Sequence, residues 1–290
     1  MRVARFRDPA GVERHGVVDQ DRVWVLENSP PGHIEDWLAQ SPGVLSDLAA
    51  RPSRSSTSFA LPDVKLLAPI QRPPKFLVLG GNYASHLEEV KRLGVQFPPV
   101  QIWVNKQSTC ISGPTDDVVI PTISDQVDYE GELALVISRR CRHVRAERAS
   151  EVIAGFMVCN DVSVRDVQLR SVTMTLGKSF DTHGPIGPWL VTPDEINDPH
   201  DLGIRTWVNG ALRQDGNTNE MKYSIFEQIA ELSSIFTLEP GDILSTGTPA
   251  GIAAAMQPPQ YLKVNDRVRV EIDGIGAIEN RFISAEDAKS

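Results

Sequence analysis

Val127-Asp128-Tyr129-Glu130-Gly131-Glu132-Leu133-Ala134-Leu135-Val136-Ile137 opens on acids and runs into five apolar residues. Leu133 to Ile137 reads as a buried strand, and alternation at period two sends Glu130 and Glu132 out of the same face at its entry. Two carboxylates this close repel and raise each other's pKa unless a cation lies between them. A second apolar run, Gly155-Phe156-Met157-Val158-Cys159, ends directly in Asn160-Asp161. Asp161 therefore sits at a strand terminus from which it can converge on the two glutamates. Three carboxylates without a thiolate or clustered imidazoles make a hard oxygen site, suited to Mg²⁺ or Mn²⁺ better than zinc. The competing reading is that Glu130 and Glu132 form the solvated face of an edge strand.

At 290 residues the chain can bury a sizeable core, as one large domain or as one domain with a smaller appendage. With 29 Lys and Arg against 38 Asp and Glu the formal net charge is -9, which argues against a nucleic-acid partner. Cys110, Cys141 and Cys159 are odd in number and lack C-x-x-C spacing. A disulfide framework and a structural zinc are both disfavoured, and a reducing compartment fits. No run approaches the roughly eighteen apolar residues of a spanning helix, and no apolar segment follows the basic start Met1 to Arg7. A cytoplasmic protein with no membrane partner is expected.

The short runs Val3 to Phe6, Gly16 to Val18 and Val23 to Leu26, separated by turn-forming clusters, predict a small antiparallel meander. Ile34 to Ala39 and Val44 to Ala50 have helical spacing, and the polar stretch Arg51 to Ser58 reads as a linker. A small N-terminal domain over 1–65 and a larger one over 66–290 follow. In the larger part, strands are predicted at Phe76 to Leu79, Ile102 to Val104, Val118 to Ile120, Leu133 to Ile137, Phe156 to Cys159 and Trp189 to Val191. Others are predicted at Ile204 to Val208, Ile243 to Ser245 and Val268 to Ile272. Helices are predicted at Ser85 to Leu93, Ala149 to Ile153 and Tyr223 to Ser234, the last with Ile225, Phe226, Ile229, Ala230 and Leu232 as its stripe. Strands outnumber helices without regular alternation, so the expected class is α+β, predominantly β.

Several segments could carry chemistry. In Gly80-Gly81-Asn82-Tyr83-Ala84-Ser85-His86-Leu87-Glu88-Glu89, Ser85 and Glu88 fit a capping box, while His86 and Glu89 stand one turn apart. A carboxylate orienting an imidazole is a common way to make a base for water; a surface His beside a surface Glu is the alternative. The two glycines permit hinge motion, so a lid over the site is expected. Lys106 could neutralise a substrate carboxylate or be solvated. If Asp161 to Gln168 forms a helical turn, Asp161, Arg165 and Gln168 share one side, although Arg165 could instead pair with Asp166 or Asp161. Lys178 and Thr182 are the polar groups of the Gly177 to Trp189 loop most suited to point inward. His183 can be read as a second base, a ligand or neither. Ser245-Thr246-Gly247-Thr248 places hydroxyls and amides at a strand end, suited to holding a carboxylate. No Gly-Lys-Ser/Thr follows that segment, so a phosphate loop there is weakly supported, and no G-x-G-x-x-G occurs, so a dinucleotide cofactor is unsupported.

Taken in order, Gly81-Asn82-Tyr83 through His86 and Glu89, Asp128 through Glu132, Asn160-Asp161 through Gln168, and Lys178-Ser179-Phe180-Asp181 form an ordered set. It continues with Val208-Asn209-Gly210, Pro240-Gly241-Asp242 and Thr246-Gly247-Thr248-Pro249. The whole resembles the short form of the fumarylacetoacetate hydrolase family, over roughly residues 66 to 290. The resemblance implies a mixed β-sandwich roll behind a small N-terminal domain, and a homodimer. It implies Glu130, Glu132 and Asp161 as ligands of Mg²⁺ or Mn²⁺, and His86 with Glu89 as the catalytic dyad. Arg165, Gln168, Lys178 and Thr248 would line the pocket. His183, Gly251-Ile252-Ala253-Ala254, Asn105 and Trp103 depart from the family pattern beside those motifs, which bears on substrate identity.

The resulting expectation is hydrolysis of a carbon-carbon bond in a 2-oxo acid or β-diketone such as an acylpyruvate. The metal would chelate the 2-oxo carboxylate, His86 would activate water, and Lys178, Arg165 and Gln168 would stabilise oxyanion charge or hold the carboxylate. Oxaloacetate decarboxylation and isomerisation or decarboxylation of a 2-hydroxy-diene-dioate are the alternatives within enzymes. A catalytically inactive metal-binding protein is the alternative of another class. The implied homodimer is checked by sedimentation at micromolar concentration, which should show twice the chain mass; a stable monomer contradicts it.

Overall fold

The computed structural model describes residues 1–27, 29–50 and 57–289. The predicted linker therefore lies almost wholly outside the described residues. Leu133, Leu135 and Ile137 alternate with Ala134 and Val136 along the strand Gly131–Ile137, and all are buried. A strand apolar on both faces must be covered on both sides. It pairs with Ile153–Asn160 on one side and Ile243–Ser245 on the other, at the centre of a twelve-stranded mixed sheet.

One face of this sheet, with Leu133, Leu135, Phe156 and Val158, packs on a five-stranded sheet through Ile204, Val268, Val270, Ile278 and Phe282. The strands of that second sheet are Ala211–Asn217, Gly203–Val208, Arg267–Ile272, Gly276–Ser284 and Val118–Ile120. The other face, with Ala134, Val136, Met157 and Cys159, packs on Ile34, Trp37, Leu38 and Leu45 from the helices Ile34–Gln40 and Val44–Ala50. The predominantly β, two-sheet architecture expected from the sequence is the one observed.

The N-terminal meander forms as Arg2–Arg7, Glu13–Asp19 and Arg22–Val25. It continues the large sheet, because Arg2 and Val3 pair with Val191 and Leu190 of the strand Gly184–Val191. Among the described residues, no helix is long and apolar enough to cross a membrane.

Some local expectations are corrected. Ser85 and Glu88 make no capping box: the helix Ala84–Arg92 starts after Tyr83 with no side-chain cap, and Ser85 lies within its first turn. The reciprocal cap occurs instead at Ser224 and Glu227, ahead of the helix Ile225–Ile235. Ala146–Val152 is a run of 3₁₀ turns, with Ile153 already in the next strand. Asp161 precedes the helical turn Arg165–Gln168, because Ser163–Val164 is extended and pairs with Val127–Asp128. The strands Ala211–Asn217 and Gly276–Ser284 were not anticipated. A signal for the first existed in Asn209-Gly210, whose φ angles of 51° and 79° make the tight hairpin turn that this dipeptide favours.

The two sheets approach closely beside the site, at Gly131. A Cβ on Gly131 would lie 2.3 Å from Thr206 Oγ1 and 2.9 Å from Val270 Cγ1. Both neighbours are fully buried and cannot swing away. Gly131→Ala should therefore destabilise the fold by about 1–3 kcal/mol, the usual cost of overpacking. Urea unfolding checks this, and an unchanged midpoint would show that the interface has slack.

Candidate metal and acid–base site

Strand register builds the acidic cluster. Gly131 lies opposite Asn160 and Glu132 opposite Cys159, so the residues just outside that register, Glu130 and Asp161, meet at the strand ends. The Asp161 amide donates to the Glu130 carbonyl at 2.8 Å, and the Glu130 amide to Asn160 Oδ1 at 3.1 Å. One carboxylate oxygen from each of Glu130, Glu132 and Asp161 lies within 4.8 Å of the other two, and all three residues are buried. A solvated edge-strand face is thereby excluded.

The charges around this cluster do not balance. Lys178 Nζ donates to Glu130 Oε2 at 2.6 Å and also to Asp161 Oδ2. Lys106 Nζ donates to Asp161 Oδ1 at 2.6 Å. Arg165 reaches Glu130 Oε1 at 2.7 Å and Asp128 Oδ2 at 2.9 Å. Glu132 alone has neutral partners, the Ser245 hydroxyl at 2.6 Å and the Gly247 amide at 3.0 Å. Four carboxylates thus face three cations. Burial, reinforced by the negative charges of Asp161 and Glu130, pushes the Glu132 pKa well above the ordinary carboxylate range. Burial opposes ionisation of Glu130 as well, but there Lys178 and Arg165 outweigh it and hold the pKa below that range. An all-oxygen donor set with one uncompensated carboxylate fits a hard divalent cation, which would keep Glu132 ionised.

His86 and Glu89 meet on the helix Ala84–Arg92, with Nδ1 3.0 Å from Glu89 Oε2. A carboxylate on Nδ1 leaves Nε2 as the basic nitrogen. His86 is buried and close enough to Glu130 to favour its ionised form. The other Glu89 oxygen accepts the Gly251 amide at 2.8 Å. Gly81, with φ of 64°, faces the Phe97 ring so closely that a Cβ would lie 2.7 Å from it. The chain on either side of the helix is therefore in close contact at Gly81 and Phe97.

Arg165 Nη1 donates to Gln168 Oε1 at 3.1 Å, which joins these two residues at the cluster. Arg165 Nη2 is buried without a hydrogen-bond partner among the described residues. The Thr248 hydroxyl donates to the Gly131 carbonyl and accepts from Gln214 Nε2, each at 2.8 Å, so its contacts tie the strand to the following loop. Lys106 is neither solvated nor free for a substrate: it is 1% exposed and committed to Asp161 and to the carbonyls of Val162 and His183. His183 is fully buried with Nε2 2.8 Å from the Val119 carbonyl, and burial lowers its pKa to about 4. It acts as a neutral structural group. The Thr182 hydroxyl accepts from the Val119 amide at 2.9 Å and likewise serves the fold.

Sequence reasoning missed the partners that organise the cluster. Asp128 stands in the deciding stretch, yet its task appears only in the structure: it accepts from Arg165 and from the Ala253 and Ala254 amides. Ser245 and Gly247 were read as holders of a carboxylate, and they hold one, but it is the protein's own Glu132.

A family model described as fumarylacetoacetate (FAA) hydrolase C-terminal matches residues 75–283, and one described as Rv2993c-like, N-terminal, matches residues 1–69. The mitochondrial oxaloacetate tautomerase FAHD2A of Homo sapiens is 38% identical, over 98% of this chain and 92% of that protein. Maleylpyruvate hydrolase from Sphingobium sp. SYK-6, solved with manganese(II) and pyruvate, is 32% identical with a TM-score of 0.80, over 98% of this chain and 99% of that one. The 2-hydroxyhepta-2,4-diene-1,7-dioate isomerase of Mycobacterium marinum is 32% identical with a TM-score of 0.77, at the same coverage. These matches span nearly the whole chain and agree with the order of motifs and the two-sheet fold. The chain belongs to the fumarylacetoacetate hydrolase family.

Proposed function

We propose that this protein is a divalent-metal enzyme that interconverts the keto and enol forms of a 2-oxo acid of the oxaloacetate type. The observation that carries the reading is the buried His86–Glu89 pair set beside three converging carboxylates with an uncompensated negative charge. Glu130, Glu132 and Asp161 would hold Mg²⁺ or Mn²⁺, which supplies a Lewis acid that draws electron density from a 2-oxo carboxylate. His86 Nε2 is the base that takes a proton from the carbon beside the 2-oxo group and delivers it to the 2-oxo oxygen to give the enol, the reverse transfer giving the keto form, while Glu89 orients the ring and supports its charge. Arg165, through its unpartnered Nη2, and Gln168 bind the substrate carboxylate. Lys178 holds Glu130 and Asp161 in place and stabilises developing oxyanion charge. Similarity to an oxaloacetate tautomerase over nearly the whole chain supports this choice of reaction.

Hydrolysis of an acylpyruvate, the expectation from sequence, is the second reading. It is favoured by the hydrolase relative solved with manganese(II) and pyruvate, and by a base that could equally take its proton from water. A cytoplasmic homodimer completes the proposal.

The test follows the ultraviolet absorbance of enol-oxaloacetate with Mg²⁺ or Mn²⁺ present, beside pyruvate release from acetylpyruvate. Enol loss should be faster than in buffer, and His86→Ala should lower that rate by about 10²–10⁴, the usual worth of a placed general base. Glu89→Gln should act in the same direction more mildly. Metal-dependent oxaloacetate decarboxylation, which needs chiefly an electron sink, should fall much less in His86→Ala. Unaccelerated enol loss alongside fast pyruvate release from acetylpyruvate would replace the tautomerase reading with the hydrolase one.

A further inference from the structure

The loop Pro249-Ala250-Gly251-Ile252-Ala253-Ala254 lies between the two halves of the site and is bonded to both. On the helix side, the Gly251 amide donates to Glu89 Oε1 at 2.8 Å and the Ala250 amide to Ser85 Oγ at 3.3 Å. On the strand side, the Tyr129 hydroxyl donates to the Gly251 carbonyl at 2.8 Å. Asp128 accepts the Ala253 and Ala254 amides at 2.8 and 3.0 Å. Asp128 also holds Arg165, which reaches Glu130.

Gly251 is therefore gripped at both ends, its amide by Glu89 and its carbonyl by Tyr129. Its φ is 112°, and a Cβ would lie 2.0 Å from the Arg213 carbonyl oxygen, so no other residue fits there unstrained. Tyr129 is 1% exposed, and this contact is the hydrogen bond its hydroxyl makes as a donor. A buried hydroxyl at the tip of an otherwise apolar ring is retained only where it is satisfied. Here it is satisfied by the residue that holds the orienting carboxylate of the dyad.

We propose that Tyr129 is a positioning residue for the His86–Glu89 pair. Its hydroxyl fixes the Gly251 carbonyl, Gly251 fixes Glu89, and Glu89 fixes the imidazole relative to the strand that carries Glu130 and Glu132. A side chain directly before Glu130 thus helps to set the spacing between base and acidic cluster, together with the Asp128 and Ser85 contacts of the same loop. This inference rests on the reading of His86 as the base, since a base displaced by a fraction of an ångström loses much of its effect.

The experiment is a double-mutant cycle on the holoenzyme. The rate measured is that of the catalysed reaction, enol-oxaloacetate conversion or acetylpyruvate cleavage. Wild type, Tyr129→Phe, His86→Ala and the double variant are compared for kcat and KM, with Mn²⁺ affinity and the thermal midpoint measured on each. Tyr129→Phe removes only the hydroxyl and should lower kcat by about 3- to 10-fold, the worth of one hydrogen bond. KM and Mn²⁺ affinity should stay unchanged. In the His86→Ala background the same change should have no further effect, because no imidazole remains to be misplaced. An equal loss in both backgrounds, or an unchanged kcat in Tyr129→Phe, overturns the proposal while leaving His86 as the base. A full rate in His86→Ala overturns the base reading and this inference with it. If Tyr129→Phe folds poorly, Ser85→Ala, which loosens the same loop from the helix side, takes its place in the cycle under the same criteria.

Discussion

The rest of the site depends on Asp161 being claimed by two lysines at once. Lys106 takes Oδ1 and Lys178 takes Oδ2, and all three residues are buried. Removing one partner from such a cluster leaves an uncompensated charge in a low-dielectric interior, at a cost of about 3–5 kcal/mol. Each lysine also ties down a separate element. Lys106 ends the strand Ile102–Lys106 and bonds the carbonyls of Val162 and His183, while Lys178 ends the 3₁₀ turn Thr175–Lys178 and reaches Glu130. The loop, the strand end and the edge strand are therefore brought together by charge, and apolar packing fills the space behind them.

Against that cage, Glu132 is the exception. It shares the buried environment of its neighbours but is stabilised by a hydroxyl and an amide instead of a cation. Without a metal, its raised pKa has a defined consequence for stability. A carboxyl whose folded pKa lies above its unfolded value favours the fold below the unfolded pKa, and that contribution is lost as pH rises through the folded pKa. A divalent cation held by the cluster would reverse the sign, because it would bind the ionised form and stabilise the folded state most where protons are scarce.

Much of this was legible from residue types and spacing. Alternation at period two placed Glu130 and Glu132 on one face, and the apolar run ending at Asn160-Asp161 placed the third acid, because both are consequences of strand geometry alone. The i to i+3 spacing of His86 and Glu89 was enough to pair them. The partners of Lys106 and Asp128 were not legible. They depend on which strand ends meet across the sheet, and Lys106 and Asp161 are 55 positions apart in sequence. The capping box at Ser85 failed for a local reason. Tyr83 bridges to Met221 and starts the helix earlier than the motif suggested, so Ser85 became free to bond the Ala250 amide. The strand Ala211–Asn217 was hidden because it has no alternating apolar residues to bury, and Gln214 is the one side chain in it that is buried.

The central claim is that the uncompensated carboxylate of Glu132 makes the buried cluster a cation site. The most direct measurement is the thermal midpoint with and without Mn²⁺ across the pH range above the ordinary carboxylate pKa, in wild type and in Glu132→Gln. Wild type should gain stability from Mn²⁺ increasingly as pH rises. Glu132→Gln should be at least as stable as wild type without metal at the high-pH end, and should lose most of the Mn²⁺ effect. A Mn²⁺-induced shift of the same size and pH dependence in Glu132→Gln would contradict the account.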